Sequence, residues 1–243
     1  MSKRPISPEF PYESKYLDVL GSKIHYIDEG EGETILFLHG NPTCNYLWRN
    51  IIPYLSGQAR CIAPDLIGMG KSDKPDITYG FMDSYRYLSA FIEQMELKNV
   101  TLVVHDWGSG LGFHYANLNQ ANVKAIAFME ALYDFPDLKN LPTSIRIAST
   151  FLRSPTFGKL VVGNFNLFIK KVLPDMIVRD LSPEEQAVYA APYKIKESRR
   201  PLWVWPQELP LDPAKRTPVR EAFEAWRDWL QDSRITKLCL DAA

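Results

Sequence analysis

At 243 residues and 46% apolar, the chain can bury one large core plus an insertion, and its composition excludes a disordered or fibrous protein. Twenty-eight basic against 29 acidic side chains, with no long basic run, disfavour a phosphate-neutralising nucleic-acid surface and leave an anionic membrane nothing to hold. No run approaches the ~18 apolar residues of a membrane span, and the charged start Met1-Ser2-Lys3-Arg4 has no apolar stretch behind it to act as an export signal.

Two short runs, Tyr16 to Val19 and Lys23 to Ile27, flank Gly21 and predict an opening antiparallel hairpin. Ile35 to Leu38 is a buried strand, and His39-Gly40-Asn41-Pro42 follows it at the carboxyl edge of the sheet, where open α/β sheets bind ligands. Trp48 to Leu55 is a short apolar helix. Cys61-Ile62-Ala63-Pro64-Asp65 is another strand, ending in the glycine-rich turn Leu66 to Ser72. A phosphate loop would need Gly-x-x-x-x-Gly-Lys-Ser/Thr, and only the fragment Gly68-x-Gly70-Lys71-Ser72 is present, which argues against a nucleotide. A clearer helix runs from Ser84 to Leu97, with Asp83 or Ser84 as cap and Tyr85, Leu88, Ile92 and Met95 at helical spacing.

The most informative stretch comes next. Thr101 to Val104 is an apolar strand that breaks into His105-Asp106-Trp107-Gly108, the pattern of a nucleophile elbow. Such an elbow is a sharp strand-to-helix turn that lifts one side chain over the N–H groups of a helix start; with a carboxylate there, attack gives an ester between enzyme and substrate. Val104 occupies the position of the first glycine in the Gly-x-nucleophile-x-Gly pattern, which weakens a serine-esterase reading more than an aspartate one. The strand Ala125 to Met129 delivers Glu130 to the same edge. A surface glutamate at a strand end is the plainer reading, but the apolar neighbours Met129, Ala131 and Leu132 favour a buried site carboxylate that needs a partner.

After Glu130 the pattern changes to a stretch rich in Pro, Phe and Leu without a convincing strand. This divides the chain into a core over residues 1–132, a helical cap over 133–213 and a return to the core over 214–243. Within the cap, Ser182-Pro183-Glu184-Glu185 starts a helix with serine as its cap. Thr217-Pro218 starts another, with Val219, Phe223, Trp226 and Leu230 on one face. Ile235 to Leu240 reads as one more core strand, and Asp241 to Ala243 as the start of its following loop.

Taken together, His39-Gly40-Asn41-Pro42, Asp65 to Ser72, His105-Asp106-Trp107-Gly108 and Met129-Glu130-Ala131 resemble the haloalkane dehalogenase family of the α/β-hydrolase superfamily, and Trp203 to Pro210 resembles that family's exit from its cap. The resemblance covers essentially the whole chain. Coelenterazine luciferases share much of the pattern; epoxide hydrolases share the aspartate elbow but usually carry an apolar or aromatic residue where Asn41 stands. The implied fold class is α/β, an α/β-hydrolase fold with a mostly parallel sheet, flanking helices and an inserted helical cap. The implied activity is hydrolytic dehalogenation of small haloalkanes through an aspartyl ester on Asp106, with Glu130 as the acid that orients a histidine base. Halide is a very weak base and leaves without a proton, so two N–H donors suffice. The resemblance assigns these to the Trp107 indole and the Asn41 amide, each worth up to ~3 kcal/mol in a dry pocket. Asn166-Leu167-Phe168-Ile169 and Val172-Leu173-Pro174 resemble the cap helix that roofs the pocket, which makes Phe168, Leu173 and, more weakly, Phe151 candidates for its wall; plain cap-to-core packing is the alternative for each.

The sequence departs from the family in one respect. No histidine stands where the family carries its base, and the resemblance implies a further helix, a last strand, the loop bearing that histidine and a closing helix. His39 and His105 belong to turn motifs, His25 to an early strand and His114 to the helix after Asp106, so each reads as structural. Without the base, the ester on Asp106 would form but lose the ~10²–10⁴-fold help that hydrolysis draws from it. A cofactorless luciferase-like oxygenase, or a silent ligand-binding relative, is the alternative function. No cofactor and no metal is called for; the partners are a haloalkane, water and the halide product. Cys44, Cys61 and Cys239 are widely spaced, lack Cys-x-x-Cys pairs, and point to a reducing, cytoplasmic setting.

Overall fold

A computed structural model describes residues 6–133, 135, 137–140 and 142–240. The expected loop start at Asp241 to Ala243 lies outside the described residues. Among the described residues, seven strands form one sheet in the order β1-β2-β4-β3-β5-β6-β7. The opening hairpin is present: β1 (Lys15–Val19) pairs antiparallel with β2 (Ser22–Glu29), Tyr16 opposite His25, across a turn in which Leu20 and Gly21 both take positive φ. β2 pairs antiparallel with β4 (Arg60–Pro64), and the remaining pairings are parallel. β3 (Thr34–Leu38) lies between β4 and β5 (Val100–Asp106), and its Leu36, Phe37 and Leu38 are fully buried.

Both faces of the sheet's central strands are covered, as parallel strands require. On one face lie Phe37, Trp48, Ile52 and Cys61. The expected single helix there divides into a tight 3₁₀ turn, Asn45–Trp48, and a short α1, Ile52–Leu55, with Pro53 in its first turn. The other face is packed by α2 (Phe81–Gln94), α3 (Trp107–Leu118) and α9 (Pro218–Asp232), with Phe81, Phe91, Leu111, Phe223 and Trp226 in one cluster. Leu88 and Ile92 of the predicted stripe are buried on α2 with Phe81, Tyr87 and Phe91, while Tyr85 and Met95 are partly buried against the same cluster; the helix begins three residues early, at Phe81, because extended Gly80 forms its cap, and ends at Gln94, three residues before the expected Leu97, while Asp83 sits inside the first turn and Ser84 is buried. Thr217 caps α9 by accepting the Arg220 N–H.

Between β6 (Val123–Ala131) and α9, the described residues form only helical pieces. These are α4 (Thr143–Arg153), α5 (Pro155–Gly158), wide π-helical turns at Lys159–Asn164 and Phe168–Val172, α6 (Leu173–Asp175), α7 (Pro183–Ala190) and α8 (Arg200–Glu208). Ser182 and Glu185 form a reciprocal capping box at the start of α7. One expectation needs correction. β7 (Thr236–Leu240) adds to β6 as the predicted strand, but it is an edge and not a core strand: Leu238 and Leu240 are exposed because no described element lies over them. Among the described residues, no helix is long and apolar enough to cross a membrane.

Candidate active site

Asp106 ends β5 and caps α3 with φ +49° and ψ −130°, a conformation that costs a non-glycine residue ~1–3 kcal/mol and persists only where its surroundings enforce it. Two glycines enforce it. A side chain on Gly108 would run into the carbonyls of Leu38 and His39, and one on Gly40 would overlap the Asp106 carboxylate itself, so α3 and the loop after β3 close on the aspartate without gaps. Asp106 Oδ1 accepts the Asn41 backbone N–H at 2.7 Å, and the carboxylate also accepts the Trp107 backbone N–H. Burial nevertheless pushes its pKa above the ordinary carboxylate value, helped by the negative charge of Glu130; the two N–H groups and His105 oppose the rise. Ser109 ties the elbow to the next strand, donating to the Asp106 carbonyl at 2.5 Å and accepting the Leu132 N–H at 2.8 Å.

The two residues expected to supply halide donors each give this carboxylate a backbone N–H, and both are buried. Trp107 is buried, its ring edge-on to Trp205 with centroids 4.8 Å apart and tilted against Phe81 at 6.2 Å. Asn41 is buried, its amide donates to the Leu202 carbonyl at 3.3 Å, and its own Oδ1 has no partner. An amide nitrogen carries two hydrogens, so one remains on Asn41 beyond the bond to Leu202.

Glu130 reaches the same edge by a device that spacing does not reveal. His105 pairs with Met129 and Asp106 with Ala131, so Glu130 is the extra residue of a β-bulge, with φ +45°. The expectation of an enclosed carboxylate is corrected: the bulge leaves the Glu130 side chain 66% exposed, with Oε2 3.3 Å from His105 Nε2. The other histidines are engaged elsewhere. His39 accepts the Leu66 N–H at Nε2 (3.0 Å) and donates to the Gly40 carbonyl from Nδ1 (2.9 Å), while burial lowers its pKa and keeps it neutral. His114 lies among Tyr85, Phe81 and Trp226, and His25 bonds to Asp65.

Of the three wall candidates, Phe168 is buried in a cap cluster with Val162, Tyr193 and Leu202, the last being the residue whose carbonyl meets Asn41. Leu173 is not brought to the elbow: it packs with Cys44, Tyr46, Leu181 and Tyr189 at the seam between cap and core. Phe151 is half exposed and stacks on Phe157 at 4.8 Å. Trp205, which contacts the Trp107 ring, was missed as a site residue although its motif was legible as the way out of the cap. Among the described residues, no group of His, Cys, Asp and Glu side chains is arranged to hold a metal ion.

A profile of the alpha/beta hydrolase fold matches residues 33–158. The chain is 42% identical over 236 residues to a haloalkane dehalogenase of Sphingobium indicum, a match that covers 95% of this chain and 79% of that one. It is 42% identical over 199 residues to a haloalkane dehalogenase of Mesorhizobium japonicum; there the match covers 81% of this chain but 64% of the relative, just under two thirds. The crystal structure of haloalkane dehalogenase DbeA from Bradyrhizobium elkani superposes with a TM-score of 0.91 at 38% identity, over 95% of this chain and 80% of that one.

Proposed function

The chain belongs to the haloalkane dehalogenase family of the α/β-hydrolase fold, and on that premise we propose that it cleaves carbon–halogen bonds in small haloalkanes with Asp106 as nucleophile. The observation that carries this reading is the strained, buried Asp106 at the strand-to-helix turn, clamped by the backbone N–H groups of Asn41 and Trp107. Oδ2 of Asp106 attacks the carbon from behind; the C–O bond forms as the carbon–halogen bond breaks, and the electron pair leaves with the halide. The Trp107 N–H and an Asn41 amide hydrogen receive the growing negative charge, where fixed donors in a dry site lower the barrier most. Burial deprives the carboxylate of water, so its charge is delivered to the substrate and not to solvent.

Water completes the reaction by adding to the ester carbonyl, which frees the alcohol and restores Asp106. This step needs a base to take a proton from the water; Glu130, with Oε2 3.3 Å from His105 Nε2, is the acid we assign to it. Phe168 is the proposed wall residue, through its contact cluster with Leu202.

Incubation with 1,2-dibromoethane tests the whole reading. The expected result is release of bromide and a bromoethyl group on the peptide that contains Asp106, both absent in Asp106→Asn. Bromide release that persists in Asp106→Asn overturns the proposal, as does light from coelenterazine without any halide release.

A further inference from the structure

A second chain of hydrogen bonds with the chemistry of an activated nucleophile lies on the far side of β4 and β3 from the elbow. His25, on β2, is fully buried; its Nδ1 is 2.8 Å from Asp65 Oδ2, and its Nε2 is 3.0 Å from the hydroxyl of Ser14, just before β1. Asp65 is buried, yet three donors meet its carboxylate: His25, the Asn45 N–H at 2.7 Å and the Lys71 N–H at 2.8 Å. Burial alone would push its pKa up, but these bonds and the nearby imidazoles hold it below the ordinary value. An ionised Asp65 can only accept, so His25 donates from Nδ1, and its neutral imidazole then offers the Nε2 lone pair to Ser14. Asn45 Nδ2 lies 3.3 Å from the same Nδ1 and donates to the Ala63 carbonyl at 3.1 Å, so it does not compete for that proton. Lys71 Nζ donates to the Ser14 hydroxyl at 2.8 Å. Ser14 itself is exposed.

Nucleophile, base and orienting acid in hydrogen-bond series are recognised by geometry and role, not by position in the chain. We propose that Ser14, His25 and Asp65 form a second nucleophilic site that takes acyl groups from small aryl esters arriving from solvent. Ser14 Oγ adds to the ester carbonyl carbon while its proton passes to His25 Nε2, and the carbonyl electron pair moves onto oxygen beside the Lys71 ammonium. When that pair returns, the bond to the aryloxy group breaks, His25 hands its proton to the departing phenolate, and an acyl ester remains on Ser14. Water then repeats the two steps and releases the acid. Asp65 stays anionic throughout and stabilises the imidazolium; its two backbone donors keep it in place. The aryl preference follows from two rings beside the site: Tyr16 tilts over His25 at 5.2 Å, and Phe10 lies 5.8 Å from Lys71 Nζ. This chemistry differs from that of the elbow, because serine needs an acyl carbon whereas Asp106 attacks a saturated one.

The full chain is mixed with para-nitrophenyl acetate, nitrophenolate release is followed, and the peptides are weighed. The expected result is a rapid phase of nitrophenolate release, acetylation of Ser14, and loss of that phase by ~10²-fold or more in Ser14→Ala, the lower end of what general-base assistance provides. Because Ser14 is exposed, Ser14→Ala keeps its melting temperature, which separates chemistry from folding. Ser14→Cys restores an acetylated residue at this position. Three results overturn the proposal: acetyl groups confined to amines, nitrophenolate release unchanged in Ser14→Ala, or release that disappears with Asp106→Asn.

Discussion

The elbow and the cap are held by opposite means. Around Asp106 the restraints are backbone and shape: glycines with no room for a side chain, N–H groups aimed at one carboxylate, and a serine bridging two strands. The cap rests on the core through side chains instead. Glu185, at the start of α7, receives Arg49 from the core and Arg179 from the cap, and Arg49 also lies 3.9 Å over the Tyr46 ring. A frame built from backbone cannot be retuned one residue at a time, whereas a roof held by side chains can.

The largest effect on stability is expected where the cap is clamped. Glu185→Ala leaves the Arg49 charge buried without its carboxylate, and loss of one partner from a buried pair costs ~3–5 kcal/mol; the Arg49 and Glu185 side chains are 5% and 3% exposed. The hydrogen bond from Arg179 pulls the Glu185 carboxyl down to about 2 against the opposing effect of burial. A lowered carboxylate value means that this stabilisation is present above the unfolded glutamate value and is lost as pH falls toward 2. Chemical denaturation of wild type and Glu185→Ala between pH 7 and 2 measures both: the gap between them narrows only at the acid end. A gap that stays constant over that range removes the clamp from the account.

At the elbow the effect appears in rate. Trp107→Phe keeps a ring between Trp205 and Phe81 but deletes the indole N–H, so single-turnover bromide release is expected to fall ~10²–10³-fold, the value of one fixed donor, with little change in melting temperature. The pH profile of the same step has its own sign. On the proposed mechanism Asp106 attacks only as the anion, and burial raises its pKa, so alkylation is expected to decline on acidification at a higher pH than an ordinary aspartate allows. The same shift predicts that the buried charge costs stability at neutral pH, and that Asp106→Asn melts at a higher temperature than wild type there. An Asp106→Asn protein that melts lower at pH 7 contradicts the desolvation argument.

The contrast also sets what could be read from the residues alone. The strand Thr101 to Val104, the acid that follows it and the glycines around it are local, and so were the caps at Ser182 and Thr217: each is a matter of neighbours in sequence. Glu130 was placed at the right edge but with the wrong exposure, because its bulge depends on how β6 registers against β5, and register is a tertiary fact. β7 carries the alternation of a buried strand, but burial depends on which elements cover it. The stretch after Glu130 was legible as helical pieces and little more; how Phe168 and Leu173 came to separate clusters depends on wide turns at Lys159–Asn164 and Phe168–Val172 that no spacing rule describes.

The smallest effect tests that last ambiguity. Phe151 is half exposed and has one ring partner, Phe157, so Phe151→Ala removes an aromatic contact of ~0.5–1.5 kcal/mol and little buried area. Phe168→Ala empties a buried position among Val162, Tyr193 and Leu202, for which ~3–5 kcal/mol is the usual cost. If the wall lies where the Leu202 cluster places it, Phe168→Ala also changes which haloalkane chain lengths alkylate Asp106 fastest, while Phe151→Ala leaves that order as it was. A reordered series in Phe151→Ala would move the pocket toward α4, and with it the part of the cap that sets substrate choice.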